Sequence, residues 1–222
     1  MVLLPSLLLV LACLSGSFAQ KDLQKKIFVF PAAARKAMVQ VNASVHQPWT
    51  NVTVCVRFNP LQFRYYTLFS YSTKPNSKDL LLVIVSPSQC NLQIGGMTQV
   101  ITLRTPLLSG WQHICVSWNS TTGLVHFWHN GELYPRFVMK KGYQIRPNGT
   151  IILGQEGDSW GRREGFVGEI ADVNVWSRVL KPDEIHQVKK NDEVPNSVVN
   201  WRTMNYTLHG DVVVEEALHQ AF

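Results

Sequence analysis

Apolar and polar residues alternate with a period of two through much of the chain. In Asn51–Phe58, Val52, Val54, Val56 and Phe58 fall on one face, and Thr53, Cys55 and Arg57 on the other. His113–Ser120 repeats the pattern, with Ile114, Val116 and Trp118 opposite His113, Cys115 and Ser117. Val167–Trp176 alternates again, with Val167, Ala171, Val173 and Val175 set against Ile170 and Trp176. Alternation of this kind predicts half-buried strands. Leu80–Val85 is a continuous apolar run, which suits a strand covered on both faces. Gly123–Trp128, then Asn130-Gly131, then Glu132–Tyr134 predicts a hairpin, because Asn-Gly tolerates the two positive φ angles of a type I′ turn.

One segment breaks the pattern. Leu180-Lys181-Pro182-Asp183-Glu184-Ile185 places a proline and two acids in a first helical turn. There the missing N–H is harmless and the helix dipole favours negative charge. Ile185 and Val188 share a face, and Lys189 and Lys190 close the far end. Many strands, frequent turns and one short helix indicate an all-β fold. The expected architecture is a two-sheet antiparallel sandwich or jelly roll with the helix lying on one face.

Residues 1–19 carry no charge, are rich in Leu, Val and Ala, and end in the small-x-small pattern Ser17-Phe18-Ala19. The stretch is short for a membrane span and predicts a signal peptide cut before Gln20. The expected division is residues 1–19 as leader and 20–222 as one domain, a length that suits a single all-β unit. No other apolar stretch could span a membrane, so a secreted, extracellular protein is expected. The net charge of +6 comes from scattered Lys and Arg with no basic run interleaved with aromatics. That predicts a solvated basic surface and no nucleic-acid partner.

Cys13 lies in the leader, which leaves Cys55, Cys90 and Cys115, an odd number in an oxidising compartment. Three pairings are arithmetically open. Cys55 and Cys115 sit mid-strand, whereas Cys90 sits in the turn-like stretch Ser86-Pro87-Ser88-Gln89-Cys90, so the expected bridge is Cys55–Cys115. Cys90 is then free, buried, or bonded to another chain. Asn42, Asn51, Asn119, Asn148 and Asn205 each begin an N-x-S/T sequon and are glycosylation candidates.

His113-Ile114-Cys115-Val116-Ser117-Trp118-Asn119-Ser120 matches the signature H-x-C-x-[ST]-W-x-[ST] of the pentraxin family at every fixed position. Phe28-Val29-Phe30-Pro31, Phe69–Lys74, Lys140–Tyr143, Ile152–Glu156 and Asn200-Trp201-Arg202 also resemble the short members of that family. The resemblance implies a flattened, legume-lectin-like jelly roll with one helix on a face and a disulfide equivalent to Cys55–Cys115. It further implies a homopentameric ring, two calcium ions per subunit, and innate-immune recognition of an extracellular ligand by a protein that is not an enzyme.

Gln155-Glu156-Gly157-Asp158 follows a strand, and in an extended segment the two carboxylates point the same way. Calcium takes six to eight oxygens at about 2.4 Å, so this loop supplies only part of a shell. The resemblance places calcium ligands here, which gives Glu156, Gly157, Asp158, Asp79 and Glu164 as the expected metal set. Two departures stand against it. The family's Asp-Asn pair falls on Ser77-Lys78, which brings an ammonium to a cation site, and the loop from Asp158 to Phe166 is shorter than the family's. Val83 and Thr98 stand where choline-binding members carry an aromatic and an acid, so phosphocholine is not the expected ligand.

Two function classes follow. One is a calcium-dependent, multivalent recognition protein, with a calcium-independent scaffold as its variant. The other is a glycoside-processing jelly roll, which needs two carboxylates facing across a cleft. Glu169 and Asp172 are three apart and on a strand face opposite ways, and no G-x-S-x-G pattern is present. No catalytic residue is therefore expected.

Overall fold

The computed structural model describes residues 22–34, 36–74, 78–107, 110–157 and 165–218. The leader, Ser77, Asp158 and Glu164 lie outside the described residues. In chain order the strands begin with β1 (Lys26–Phe30), β2 (Met38–Val41), β3 (Asn51–Pro60), β4 (Tyr66–Ser72) and β5 (Leu80–Ser86). There follow β6 (Gln89–Ile94), β7 (Met97–Thr102), β8 (Gln112–Asn119), β9 (Leu124–His129), β10 (Glu132–Leu133), β11 (Phe137–Val138) and β12 (Thr150–Leu153). β13 (Gly168–Trp176), helix α1 (Pro182–Lys189), β14 (Tyr206–His209) and β15 (Val213–Glu216) complete the fold.

The strands form two antiparallel sheets. The first has the order β10-β9-β8-β3-β13-β1-β15, with β11 also paired to β9. The second has the order β14-β2-β12-β4-β5-β6-β7. Between them lies a core built on Phe28, Phe30, Phe58, Leu68, Trp118, Phe127, Phe166 and Ile170, all sealed from solvent. Trp118 reaches this core with its polar atom satisfied, since Nε1 donates to Met139 O at 2.9 Å. The Asn-Gly hairpin forms as expected between β9 and β10, with φ of 51° at Asn130 and 84° at Gly131. Leu80–Ile84 is buried throughout, also as expected.

The alternating strands β3 and β8 differ from expectation, because they are buried on both faces rather than one. Helix α1 and its flanks cover the outer side of the first sheet. Cys55, Cys115, Trp128, Trp176, Leu180, Ile185, Val188 and Val194 form a second apolar cluster there. The polar residues under this cover are satisfied locally. Thr53 Oγ1 donates to Arg178 O at 2.7 Å and accepts from Leu180 N at 3.1 Å, which makes Ser117, 2.9 Å away, the third partner and a donor. The helix starts where Pro182 and the acids place it. Glu184 accepts from Lys181 N at 2.8 Å and takes two 2.8 Å bonds from Arg178. Those bonds hold the Glu184 carboxyl down at about 2.

Three further points refine the sequence reading. The disulfide is Cys55–Cys115, between residues directly opposite in the β3–β8 register. Cys90 is not in a turn: the turn ends at Pro87-Ser88, and Cys90 lies fully buried in β6 as a free thiol, pushed up by burial. In β13 the register shifts between Ala171 and Asn174, with Asp172 at a φ of 48°. This bulge puts Val173 and Val175 on the same core side as Ile170, where strict alternation would have separated them.

Candidate functional site

The outer face of the second sheet carries the described residues among those singled out for metal and ligand. Leu80, Leu82 and Ile84 point into the core, so Leu81 and Val83 point outward. Register then lines up Leu81 with Gln93 and Thr98, and Val83 with Asn91 and Val100. Val83 is buried and Thr98 exposed, so this part of the face offers amides, a hydroxyl and methyl groups, with no aromatic and no acid.

After β12 the chain folds back over the same face. Gly157 N donates to Ser70 Oγ at 3.3 Å, and a Cβ on Gly157 would lie 2.5 Å from Ser72 Oγ. Glycine allows this close approach without displacing the Ser72 hydroxyl, and the adjacent Glu156 is almost sealed from solvent. Tyr65 donates its hydroxyl to Glu156 Oε1, and Lys78 Nζ lies 3.2 Å from Oε2. Asp79, next to Lys78, is fully buried and faces a different set of groups. Its Oδ2 accepts from Thr73 Oγ1 at 2.9 Å and from Arg146 N at 3.1 Å, and its Oδ1 accepts from the Tyr143 hydroxyl at 2.5 Å. Backbone bonds from Gly95 N to Asp79 O and from Gly96 N to Lys78 O fasten both residues to the β6–β7 turn.

A calcium shell is made of oxygen acceptors converging on one point. The partners described for Glu156 and Asp79 include five donors: two phenols, a threonine hydroxyl, a backbone N–H and an ammonium. The two carboxylates do not share a partner among these groups, and the positive charge beside Glu156 belongs to Lys78. The described residues therefore do not fit a calcium centre. Asp158 and Glu164 lie outside the described residues. Tyr65 had no signal in the sequence, and Thr73 and Tyr143 lie in stretches that resemble the family without any sign that both would bond Asp79.

Beneath the helix, Cys55, His113 and Cys115 bring ligand-type atoms within 4.8 Å of one another, but the two sulfurs are bonded to each other. His113 is sealed there, and burial, with Arg57 nearby, lowers it to about 3, so it is neutral. The carboxylates weighed for glycoside chemistry are separated by environment. Asp172 pairs with Arg57 inside the fold, and Glu169 accepts from Asn59 Nδ2 at 3.0 Å at the surface.

The two edges of the first sheet differ in charge. At the β15 edge a groove of about 710 Å³ is lined by Glu169, Glu215, Glu216, Trp111, Ile27 and Leu218. At the β10–β11 edge, Leu133 and Val138 are 38% and 58% exposed, beside exposed Arg136 and Lys141.

Comparison with known proteins agrees with this architecture. Residues 26–216 match the model of the pentaxin family. The chain is 37% identical to C-reactive protein of Mus musculus over 95% of its own length and 96% of that protein. It is 38% identical to serum amyloid P-component of Cavia porcellus, covering 89% of this chain and 90% of that one. A native heptameric SAP-like pentraxin from Limulus polyphemus shares the fold at a TM-score of 0.78, with 23% identity over 89% of this chain and 97% of the other. The fold, the disulfide and these relatives agree, and the chain belongs to the pentaxin, or pentraxin, family.

Proposed function

We propose that this pentraxin is a secreted, multivalent recognition protein that engages its extracellular ligand without calcium. One observation carries the reading: Lys78 Nζ stands 3.2 Å from Glu156 Oε2. An ammonium tethered at that distance supplies the neutralising charge that a bound cation would otherwise bring. Asp79, the other described acid of the expected metal set, is held by Thr73, Tyr143 and Arg146. The calcium-dependent reading, with Glu156, Gly157, Asp158, Asp79 and Glu164 as ligands, has less support.

Three further observations favour the rest of the reading. The relatives are recognition proteins and not enzymes. Residues 1–19 read as a leader before a single domain over 20–222, and the Cys55–Cys115 bridge suits an oxidising compartment. No helix among the described residues is long and apolar enough to cross a membrane. The acidic groove at β15 and the basic, apolar edge at β10–β11 are complementary surfaces on opposite sides of one subunit. Such a pair joins copies head to tail, and a ring results where the rotation closes. Five copies, as in a homopentamer, would turn weak single-site binding into useful avidity. Val83 and Thr98 support an uncharged, hydrogen-bonding ligand over phosphocholine.

Calorimetric titration of the purified protein with calcium, together with thermal melts in millimolar calcium and in chelator, tests the central claim. The expected result is no binding heat and superimposable melts. Heat with a calcium-dependent rise in melting temperature overturns it.

A further inference from the structure

The five sequons are scattered along the sequence but converge in the fold. Asn42 directly follows β2 and Asn205 directly precedes β14, with Val41 opposite Tyr206 in register. Asn42 N donates to Asn205 O at 2.8 Å, and Asn42 Nδ2 donates to Thr207 Oγ1 at 3.2 Å. Asn148 stands just before β12, where Ile151 also lies opposite Val41, and its N donates to Val45 O at 2.7 Å. Three consecutive strands of the second sheet, β14, β2 and β12, thus carry a sequon asparagine at the same end.

The other two lie in the first sheet and are direct partners, Asn51 opposite Asn119. Short backbone bonds tie this pair to the same end of the sandwich. Ser120 N donates to Thr50 O at 2.7 Å, Trp49 and Ile145 exchange bonds of 2.9 and 3.1 Å, and Gly142 N donates to Ser120 O at 2.7 Å. Asn42, Asn148 and Asn205 are exposed, as are their sequon hydroxyl residues Ser44, Thr150 and Thr207. Asn51 and Asn119 are half-buried; the sequon hydroxyl residue of the first, Thr53, is buried and bonded inside the fold, whereas that of the second, Thr121, is exposed.

We propose that this end of the sandwich is a glycan-bearing pole, with N-linked oligosaccharides on Asn148, on one of the opposed pair Asn42 and Asn205, and on at most one of the opposed pair Asn51 and Asn119. The inference rests on the extracellular reading above. The donor is a lipid-pyrophosphate-linked oligosaccharide. Asparagine Nδ2 forms a bond to the anomeric carbon, the anomeric C–O bond breaks, the lipid pyrophosphate leaves, and one amide proton passes to solvent. Directly opposed strand residues stand only about 4.5–5.5 Å apart, so two branched sugars on Asn51 and Asn119 would contest one space. Asn42 and Asn205 are opposed in the same way across β2 and β14, so the same limit holds there, whereas Asn148 faces no other sequon asparagine. The pole also has a use. β14 is the open edge of its sheet, and its outward backbone groups are a template for strand addition. A sugar on Asn205 or Asn42 would flank that edge and block an incoming strand.

The test uses the full chain produced in mammalian secretory cells, beside a chain whose first 19 residues are replaced by an established secretory leader. Enzymatic removal of N-glycans in heavy-oxygen water marks each occupied asparagine as labelled aspartate, mapped by peptide mass in both medium and cell fractions. The expected result is label on Asn148 and on Asn42 or Asn205, with the summed occupancy of Asn42 and Asn205, and likewise of Asn51 and Asn119, not exceeding one sugar per molecule. Absence of label from Asn148, or from both Asn42 and Asn205, overturns the proposal, and so does a summed occupancy above one at either opposed pair. If only the chain with the substituted leader is labelled and exported, the pole stands and the secretion reading fails.

Discussion

Arg57 Nε donates to Asp172 Oδ2 at 2.9 Å in a place where both side chains are almost sealed from solvent. The same guanidinium donates through Nη2 to Lys189 O at 2.8 Å. One side chain thereby joins β3, the bulge of β13 and the carboxyl end of the helix. Arg57→Met leaves a buried carboxylate without its partner and is expected to destabilise the fold by about 3–5 kcal/mol. Replacing both partners with apolar residues removes the unpaired charge, so Arg57→Met with Asp172→Leu is expected to lose less than the sum of the single changes. Denaturant unfolding of the three variants measures this.

Cys55 and Cys115 are separated by 60 residues in sequence. Opening a loop of that size returns entropy to the unfolded chain, on the order of 4 kcal/mol in the chain-entropy model. The Cys55→Ala, Cys115→Ala double variant is expected to show that loss in its urea midpoint. Cys90→Ala, which breaks no bond, is expected to lose only what a small buried side chain contributes by packing, about 1–2 kcal/mol.

His113 is neutral in the fold at pH values where an exposed histidine, with its ordinary value of 6.5, is already charged. The unfolded chain therefore binds an extra proton between about pH 6.5 and about pH 3. Stability contributed by keeping this site neutral is complete above the upper value and declines steadily as pH falls through the window. The full loss from one site with this shift is on the order of 4 kcal/mol. His113→Leu is expected to flatten the dependence of melting temperature on pH across that window, whatever it does to stability at neutral pH. An unchanged acid slope would exclude His113 as its source.

Lys78→Ala removes the ammonium beside Glu156 and leaves a nearly buried carboxylate with one charge partner fewer. A loss of about 1–2 kcal/mol is expected, read as a lower denaturation midpoint. Lys78→Arg, which keeps the charge, is expected to recover most of it. Failure of the arginine variant to recover any stability would argue against a charge role.

Glu169→Arg places a cation in the acidic groove and is expected to lower the mass observed by light scattering without altering the melting temperature of the single subunit. A mass identical to the parent protein would exclude this groove from the assembly contact.

Much of this was legible in the sequence. The hairpin at Asn130-Gly131, the helix at Pro182 and the cysteine pairing follow from local chemistry that does not depend on neighbours. The helix lying on the first sheet was also foreseen, but its effect was not. Thr53, Arg57 and Ser117 read as a wet face because polarity alone does not reveal a lid. The bulge at Ala171–Asn174 was hidden because alternation assumes an unbroken register. At the candidate site, Lys78 and Glu156 could each be named beforehand, since each stands at a position with a family precedent. Tyr65 and Tyr143 could not be named as bonding partners of the carboxylates. Their hydroxyls meet the carboxylates only after loops distant in sequence are folded over one sheet.

The helix cover described above makes the two broad sides of each subunit unlike. One side is closed by Ile185, Val188 and the disulfide beneath them, and the other carries Lys78, Glu156 and the open amide rows. Rotation about a single axis cannot exchange the two sides of a subunit. A closed head-to-tail ring of these chains is therefore a disc with a front and a back, and whatever binds at the Lys78 side meets every copy at once while the helices all address the opposite direction.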